Sequence, residues 1–469
     1  MQLTRPHADI FATWRVRILA CALAVSLLCA GFPLCAYAEV RKADIVTGET
    51  VEQRGLTIAQ CPSIDAQYCV VMDSEGTVYF ERDADVQTQI ASITKVMTCL
   101  IALDMGQDSD VITVSENAAE VGESSANLQA GDSTDFTSML KALMIPSGND
   151  AAIALAEYYG QKIVSSNGNG QLDSDACIAA FVDKMNQKAA EIGMSNTLFT
   201  NPHGLDDGEF EGDLHSTARD VALMIQYAMK NQKFRDICGI DGDDIVVQRD
   251  GEEVAITLEP TDTMLETYEG ALGVKTGFTN LAGACFAGAS SRDGLEVYAI
   301  ILGSTDETQR FADAETCMDW FYDNYVDCQL VNSDVTCELS VNGQMMTVPV
   351  VAYAAHAGWV NATFPVTLQN PEETARVFKL SGNLTQEVNI KEIGGDVHPG
   401  DVVGTITFYQ HNKAVYTSNL IACTYQVGPN PLEAIGVSVD RFLKGLAGES
   451  TVAKTQVIST ATVLLDKTA

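Results

Sequence analysis

The chain has 469 residues, of which 46% are hydrophobic, and its 28 Lys and Arg against 63 Asp and Glu give a formal net charge of −35. This apolar content can fill large cores, which excludes a disordered polyanion and a small fold held together only by disulfides. The negative charge argues against nucleic acid as a partner, because a phosphate backbone is bound by a concentrated positive surface. At about 100 to 200 residues per domain, the length predicts two or three domains.

The first 38 residues have the pattern of an export signal. Three arginines precede the apolar run 18–28, and Ala36-Tyr37-Ala38 supplies the small residues of a cleavage site. The alternative is an uncleaved anchor helix, but this run is short for spanning a bilayer. We therefore expect residues 1–38 to be a signal peptide and the mature protein to be exported to the cell envelope.

The cysteines that follow residue 38 show no CxxC spacing that would indicate a zinc site or a redox pair. Two interpretations remain open. Cys61 with Cys69, or Cys328 with Cys337, can form short-range bridges in an oxidising compartment, or these residues are buried free thiols.

A polar lead segment, residues 39–60, precedes the first predicted hairpin at 68–81, which turns at Asp73-Ser74-Glu75-Gly76. From Ser92 onward, apolar residues recur at helical spacing around almost the whole circumference, which predicts a helix buried at the centre of a domain. Further helices are predicted at 138–144, 150–159, 177–192 and 218–228, with a polar loop at 165–170.

Strand patterns at 284–289 and 297–302, followed by a helix with one apolar face, close this first domain. Beyond it, short β-branched runs predict a separate β-rich domain. The predicted organisation is therefore an α+β domain at 61–330, a small all-β domain at 331–427 and a tail at 428–469. Apolar residues at helical spacing in the tail predict an amphipathic helix with weak membrane contact, and the alternative is a disordered or wall-facing tail.

HExxH, the GxSxG elbow and the glycine-rich phosphate loop are all missing from the sequence, which weakens metalloprotease and nucleotide chemistry. Three short motifs stand out instead, in the order Ser92-Ile93-Thr94-Lys95, Ser147-Gly148-Asn149 and Lys275-Thr276-Gly277. Two decoys, Ser138-Met139-Leu140-Lys141 and Ser381-Gly382-Asn383, match the first two patterns. Each motif alone is typical of ordinary loops and caps, so context has to separate them.

Ser92 begins the predicted buried helix, where free backbone N–H groups favour a developing anion, and Lys95 lies one turn further along the same face. A lysine among apolar neighbours and other cations can lose its proton near neutral pH and then deprotonate a serine hydroxyl. The pattern predicts a nucleophile with its base. The pattern instead predicts an exposed position for Lys141 on an ordinary amphipathic helix, and the Ser381 copy is typical of a turn.

The other two motifs fit a substrate cleft. Ser147 and Asn149 follow Pro146 in a tight loop, from which Ser147 can relay protons and Asn149 can hold a substrate amide. Lys275 offers positive charge beside the nucleophile, and Gly277 lets an extended substrate backbone approach closely.

With these motifs in this order, the chain resembles the serine-type D-alanyl-D-alanine carboxypeptidases, which are low-molecular-mass penicillin-binding proteins. The resemblance covers about residues 62–425 and includes the segments 201–206 and 215–220, whose His203 and His215 we expect to organise loops. It implies a β-lactamase-like and transpeptidase-like fold, with an antiparallel sheet flanked by helices. It also implies no metal and no cofactor.

The resemblance implies a role for each motif residue: Ser92 is the acylated nucleophile, Lys95 its general base, Ser147 and Asn149 the second catalytic element, and Lys275, Thr276 and Gly277 bind substrate. Backbone N–H groups of Ser92 and Phe278 would form the oxyanion hole. Arg310 would hold the terminal carboxylate through paired hydrogen bonds, and the alternative is a surface arginine paired with Asp306 or Glu307. Phe278 departs from the polar residue that relatives often carry there.

The resemblance implies that the substrate is a peptidoglycan stem peptide and that β-lactams are covalent inhibitors. Ser92 would attack the penultimate D-alanine, and water would then hydrolyse the acyl-enzyme. Within the enzyme class, the rivals are a cross-link endopeptidase and a class A β-lactamase, although no ExxLN carries a second deacylating base. A further alternative is a β-lactam sensor or wall-binding protein without turnover.

Overall fold

The computed structural model describes residues 43–165, 173–341 and 344–464. The predicted signal peptide at 1–38 lies outside the described residues, as does most of the polar loop predicted at 165–170. The described residues all belong to one compact unit, residues 40–469.

The first part of the chain is built around an antiparallel sheet in the order β2-β1-β4-β3-β11-β10-β9, and a smaller sheet has the order β5-β6-β7-β8. The strands are β1 Ile45–Val46, β2 Glu49–Thr50, β3 Tyr68–Asp73, β4 Val78–Arg82, β5 Val111–Thr113, β6 Ser133–Asp135, β7 Asp243–Arg249, β8 Glu252–Leu258, β9 Ala271–Thr279, β10 Gly283–Arg292 and β11 Leu295–Ser304. The predicted hairpin at 68–81 and the strands at 284–289 and 297–302 are confirmed. The smaller sheet has no counterpart among the predicted strands.

Helices cover this sheet. They are α1 Val51–Arg54, α2 Thr94–Met105, α3 Glu116–Glu120, α4 Phe136–Met144, α5 Asn149–Ser165, α6 Ser174–Ile192, α7 Ala218–Ala228, α8 Gln232–Cys238, α9 Met264–Thr267 and α10 Gln309–Asp323. Residues 94–102 of α2 are all buried, which confirms the predicted central helix. Because α2 is apolar nearly all round, it can contact α4, α5, α6 and α7 at once.

Part of the lead segment is built into the main sheet. Strand β1 pairs antiparallel with β4, and the buried Arg82 guanidinium donates to both carboxylate oxygens of Asp44, at 3.0 and 2.7 Å. The same guanidinium also donates to the carbonyls of Ile64 and Ala66. A buried ion pair of this kind is tolerated when further hydrogen bonds satisfy its remaining groups.

A β-rich region follows, as predicted. Its elements are β12 Tyr325–Gln329, β13 Thr336–Val341, β14 Gln344–Pro349, β15 Ala352–Ala355, β16 Thr363–Leu368, β17 Thr374–Phe378, β18 Thr385–Ile390, β19 Val402–Gln410, β20 Lys413–Ala422, α11 Pro431–Leu446 and β21 Gln456–Val457. The main sheet has the order β18-β19-β20-β16-β15-β21, so the chain returns to this region after α11.

The α+β class is therefore confirmed, while the predicted domain limits stay predictions. Strand β12 pairs with β17, so the β-rich region begins to form before residue 330. Along the part of the chain that the structure describes, no helix combines the length and the apolar character needed to cross a membrane.

The two short-range cysteine bridges are not present, so that interpretation was wrong. No sulfur–sulfur bond joins the ten cysteines among the described residues, and Cys337 alone among these ten is only partly buried. Proximity along the chain did not bring the sulfurs together, because Cys69 in β3 lies against Cys317 of α10.

Helices α5 and α6 approach each other closely at Gly160. A Cβ atom there would overlap the backbone carbonyl of Cys177, which cannot move aside as a side chain could. We expect Gly160→Ala to lower the free energy of unfolding by about 1 to 3 kcal/mol, measured by urea denaturation.

Gly436→Ala is the matched control, because Gly436 also lies in a helix, but a methyl group added there would meet no atom of the described residues within 4 Å. We expect this change to be neutral or to stabilise by up to about 1 kcal/mol. Equal unfolding midpoints for the two variants would contradict the close-contact explanation.

Candidate active site

The candidate nucleophile lies in a tight turn that leads into the central helix. Ser92 is the middle residue of the 3-10 turn Ala91–Ile93, directly before α2. The Lys95 ammonium nitrogen lies 2.7 Å from Ser92 Oγ and donates to the carbonyl of His203 at 2.9 Å. Burial, assisted by the charge of Lys275, holds the pKa of the Lys95 amine well below its usual value. A neutral Lys95 at this distance can accept the serine proton.

Two glycines allow other segments to touch this turn. A Cβ at Gly277 in β9 would lie 2.9 Å from the carbonyl oxygen of Ile90 and 3.1 Å from the amide nitrogen of Ser92. Gly204 has a φ of +96°, and a Cβ there would overlap the carbonyl of Ala91. Only glycine fits at both positions without displacing backbone, so β9 and the 201–206 segment enclose the Ser92 turn from two directions.

The second motif forms the loop between α4 and α5. Ser147 has a φ of +65°, which non-glycine residues rarely adopt, and Asn149 is the first residue of α5. The Asn149 side chain donates to the carbonyl of Gly122 at 3.0 Å. Asp150 accepts hydrogen bonds from Ser125 Oγ and from the backbone N–H groups of 126 and 128, so it connects this loop to residues 122–128.

The third motif places buried positive charge along β9. Lys275 is buried, and its burial together with the charge of Arg310 lowers its pKa to about 7, although Asp262 acts in the opposite direction. The Thr276 hydroxyl lies 2.7 Å from the hydroxyl of Thr261, which precedes Asp262. Burial raises the pKa of the Asp262 carboxyl to about 6.

Arg310, the predicted carboxylate ligand, is buried at the start of α10 and touches β9. Its guanidinium donates to the carbonyl of Gly277 at 3.2 Å and lies 3.3 Å from the carboxylate of Glu307. The alternative was a surface arginine paired with Asp306 or Glu307. The ion pair with Glu307 is present, but the Arg310 side chain is buried. The Phe278 side chain is 49% exposed at the end of β9.

Several buried polar atoms in these segments have no hydrogen-bond partner among the described residues. They are Ser147 Oγ, Asn149 Oδ1, His203 Nε2, Asp206 Oδ1, Asp262 Oδ2 and Arg310 Nε. A buried polar atom without a partner costs free energy, so folded proteins rarely concentrate them in one region. Atoms of this kind can complete their hydrogen bonds with a polar ligand.

Some positioning residues carry no recognisable motif. Asp150 directly follows the second motif, yet its role depends on residues 122–128, which no pattern connects to it. Asp262 lies in the turn that precedes the short helix α9, and its Oδ1 accepts a hydrogen bond from the Met264 N–H at 3.0 Å. The sequence predicted that His203 organises the loop at 201–206, and it does, because its Nδ1 accepts from the Leu205 N–H at 3.1 Å.

The two decoys lie in different surroundings. Ser138 Oγ donates to Asp135 at 2.6 Å near the start of α4, and Lys141 pairs with the carboxylate of Asp243. Asn383 accepts a hydrogen bond from the Leu464 N–H in the β-rich region. In neither decoy does a serine hydroxyl lie against a buried lysine amine, as Ser92 does against Lys95.

Comparison with known proteins gives the same family as the resemblance based on the three motifs. A family model described as D-alanyl-D-alanine carboxypeptidase matches residues 56–306. The D-alanyl-D-alanine carboxypeptidase DacF of Bacillus subtilis is 31% identical over 267 residues, which are 56% of this chain and 63% of that protein, just under two thirds of its length.

Solved structures agree. A mutant of the Streptomyces K15 DD-transpeptidase has a TM-score of 0.52 at 30% identity, covering 56% of this chain and 100% of that one. The D-alanyl-D-alanine carboxypeptidase DacD from Francisella tularensis shares the fold over 79% of this chain and 96% of its own, with a TM-score of 0.51 and 23% identity.

The matches define a serine-type hydrolase. This chain belongs to the D-alanyl-D-alanine carboxypeptidase family, and the resemblance predicted from its three motifs is thereby confirmed.

The low pKa of Lys275 predicts a pH limit on substrate binding. With a pKa of about 7, the Lys275 side chain is charged below that pH and neutral above it, so its attraction for a carboxylate ligand is lost as the pH rises. We expect kcat/KM for a peptide with a free D-alanine terminus to fall by up to about tenfold per pH unit above this value.

The same peptide with an amidated terminus serves as the control. It has no terminal carboxylate, so neutralising Lys275 should not change how it binds. Asp262→Asn removes a charge that raises the pKa of Lys275, so the alkaline fall should move to lower pH in this variant. An identical alkaline profile for both peptides would contradict this role for Lys275.

Proposed function

We propose that the protein removes the terminal D-alanine from peptidoglycan stem pentapeptides through an acyl-enzyme on Ser92. The observation that carries this proposal is the 2.7 Å contact between Ser92 Oγ and the buried Lys95 amine, whose pKa is well below its usual value. An unprotonated amine at hydrogen-bond distance is what a serine hydroxyl needs to become a nucleophile.

In the proposed reaction, Lys95 takes the Ser92 proton while Oγ attacks the carbonyl of the penultimate D-alanine. The backbone N–H groups of Ser92 and Phe278 stabilise the oxyanion, since Gly277 holds β9 against the Ser92 amide. The peptide C–N bond then breaks, and D-alanine leaves with a proton relayed through Ser147. Water hydrolyses the remaining ester and restores Ser92.

Substrate binding would use the groups along β9 and the second motif. Lys275, Thr276 and Arg310 present hydroxyl and positive charge to the terminal carboxylate, and Arg310 keeps its Nε unpaired within the described residues. Asn149 Oδ1 is similarly free to accept from a substrate amide. Penicillins would acylate Ser92 in the same way, because their strained amide occupies the position of the scissile bond.

The relatives' names favour the carboxypeptidase over a cross-link endopeptidase and over a sensor without turnover. The pattern in residues 1–38 supports export, so the reaction would take place outside the cytoplasm, at the cell wall.

D-alanine release from a stem pentapeptide tests the proposal. We expect Ser92→Ala to lower release by at least about 10³-fold and to abolish covalent labelling by a fluorescent penicillin, because no other group can form the ester.

Ser138→Ala is the matched control: it removes the serine of the second SxxK sequence and should leave both readouts unchanged. Undiminished release by Ser92→Ala would refute the assigned nucleophile. Penicillin labelling of the wild type without any release would move the function to the sensor.

Helix α11 supports the further proposal of weak membrane contact. Its exposed apolar side chains are Leu432, Ile435, Val439, Phe442, Leu443 and Leu446. The opposite side is tethered, because the Arg441 guanidinium donates to the carbonyls of Ala357 and Trp359. An apolar face on a helix held at the surface is typical of interfacial binding.

We expect the full mature chain to co-sediment with zwitterionic phospholipid vesicles, and the double change Phe442→Asp and Leu446→Asp to abolish this binding. Met345→Asp is the control, since Met345 is a similarly exposed apolar residue in β14. Because the chain is strongly negative, anionic vesicles should bind less than zwitterionic ones. Equal sedimentation of the double variant would exclude α11 as the contact.

A further inference from the structure

Two pairs of cysteines that are far apart in sequence lie close together in space. Cys69 Sγ in β3 is 3.7 Å from Cys317 Sγ in α10, and both side chains are buried. Sulfur atoms at this distance are in contact, and an S–S bond of about 2.05 Å requires them to approach by less than about 2 Å.

The second pair lies in the β-rich region. Cys337 in β13 packs against the small apolar cluster that contains Cys423, which directly follows β20. Leu339 and Val348 belong to the same cluster, so both cysteines lie in one packed apolar neighbourhood.

We propose that Cys69–Cys317 and Cys337–Cys423 are disulfide sites that close when the chain folds in the presence of a disulfide oxidant. In each closure, one cysteine thiolate attacks the oxidant's disulfide to form a mixed disulfide. The second thiolate then attacks that cysteine's sulfur. One S–S bond forms in the protein, two protons are released from its thiols, and the oxidant is reduced to two thiol groups.

The timing follows from burial. Burial raises the pKa of both the Cys69 and the Cys423 thiols, which disfavours the reactive thiolate in the folded protein. Both disulfides would therefore form during folding, before the segments that carry these cysteines are buried.

The first bridge would join the beginning and end of the catalytic part without entering its site. Every residue assigned to the site, from Ser92 to Arg310, lies in the loop that Cys69 and Cys317 would close. Cross-linking a long loop restricts the unfolded chain and so stabilises the folded one. The second bridge would attach the hairpin of β13 and β14 to the main sheet of the β-rich region.

The test is refolding of the full mature chain from denaturant with oxidised and reduced glutathione, followed by thiol titration under denaturing conditions. We expect four of the ten thiols to be lost, and peptide mass mapping to join 69 with 317 and 337 with 423. Reduction should lower Tm by about 5 °C or more and leave D-alanine release at low temperature unchanged.

Single variants identify the partners. Cys317→Ser should lose only two thiols, whereas Cys61→Ser, which removes the sequence neighbour of Cys69, should still lose four. Ten titratable thiols in the wild type after oxidative refolding would overturn the proposal, and so would a mapped bridge from Cys69 to Cys61. Both results are independent of whether the protein releases D-alanine.

Discussion

The structure around the candidate active site depends on the burial of one amine, that of Lys95, beside Ser92. An ammonium removed from water is costly, so the surrounding apolar helix and the nearby charge of Lys275 favour the neutral form. This explains why α2 is apolar nearly all round instead of amphipathic. It also explains the close contacts at Gly204 and Gly277, because any looser packing would admit water and raise the pKa of the amine.

The basic side chains buried in the candidate site need compensation within a chain whose overall charge is strongly negative. Lys95, Lys275 and Arg310 are buried, and each of the three has a carboxylate acting on it: Asp150, Asp262 and Glu307, respectively. The net charge of −35 thus describes the molecule as a whole and not its site. Local positive charge inside an acidic protein suits a small anionic terminus, whereas a polyanion would be repelled by the whole molecular field.

The β-rich region is tied to the rest of the chain by pairing and aromatic packing. Strand β12 follows α10 directly and pairs with β17, and Phe378 of β17 packs against Tyr79 of β4 and Trp320 of α10. After α11 the chain returns through β21 to pair with β15. Helix α11 is therefore held at both ends, which lets an apolar surface remain in a defined position.

Much of this protein follows from sequence alone. Helical spacing of apolar residues predicted the central helix, because a helix that is apolar all round is stable only when it is buried. The order of the three motifs predicted the family. Tertiary structure alone decided which cysteines meet, that Asp150 and Asp262 act on the site, that the polar lead segment adds strands to the main sheet, and that Arg310 is buried. These depend on contacts between residues far apart in the chain, and periodicity reports only which face of an element is buried, never which other segment covers it.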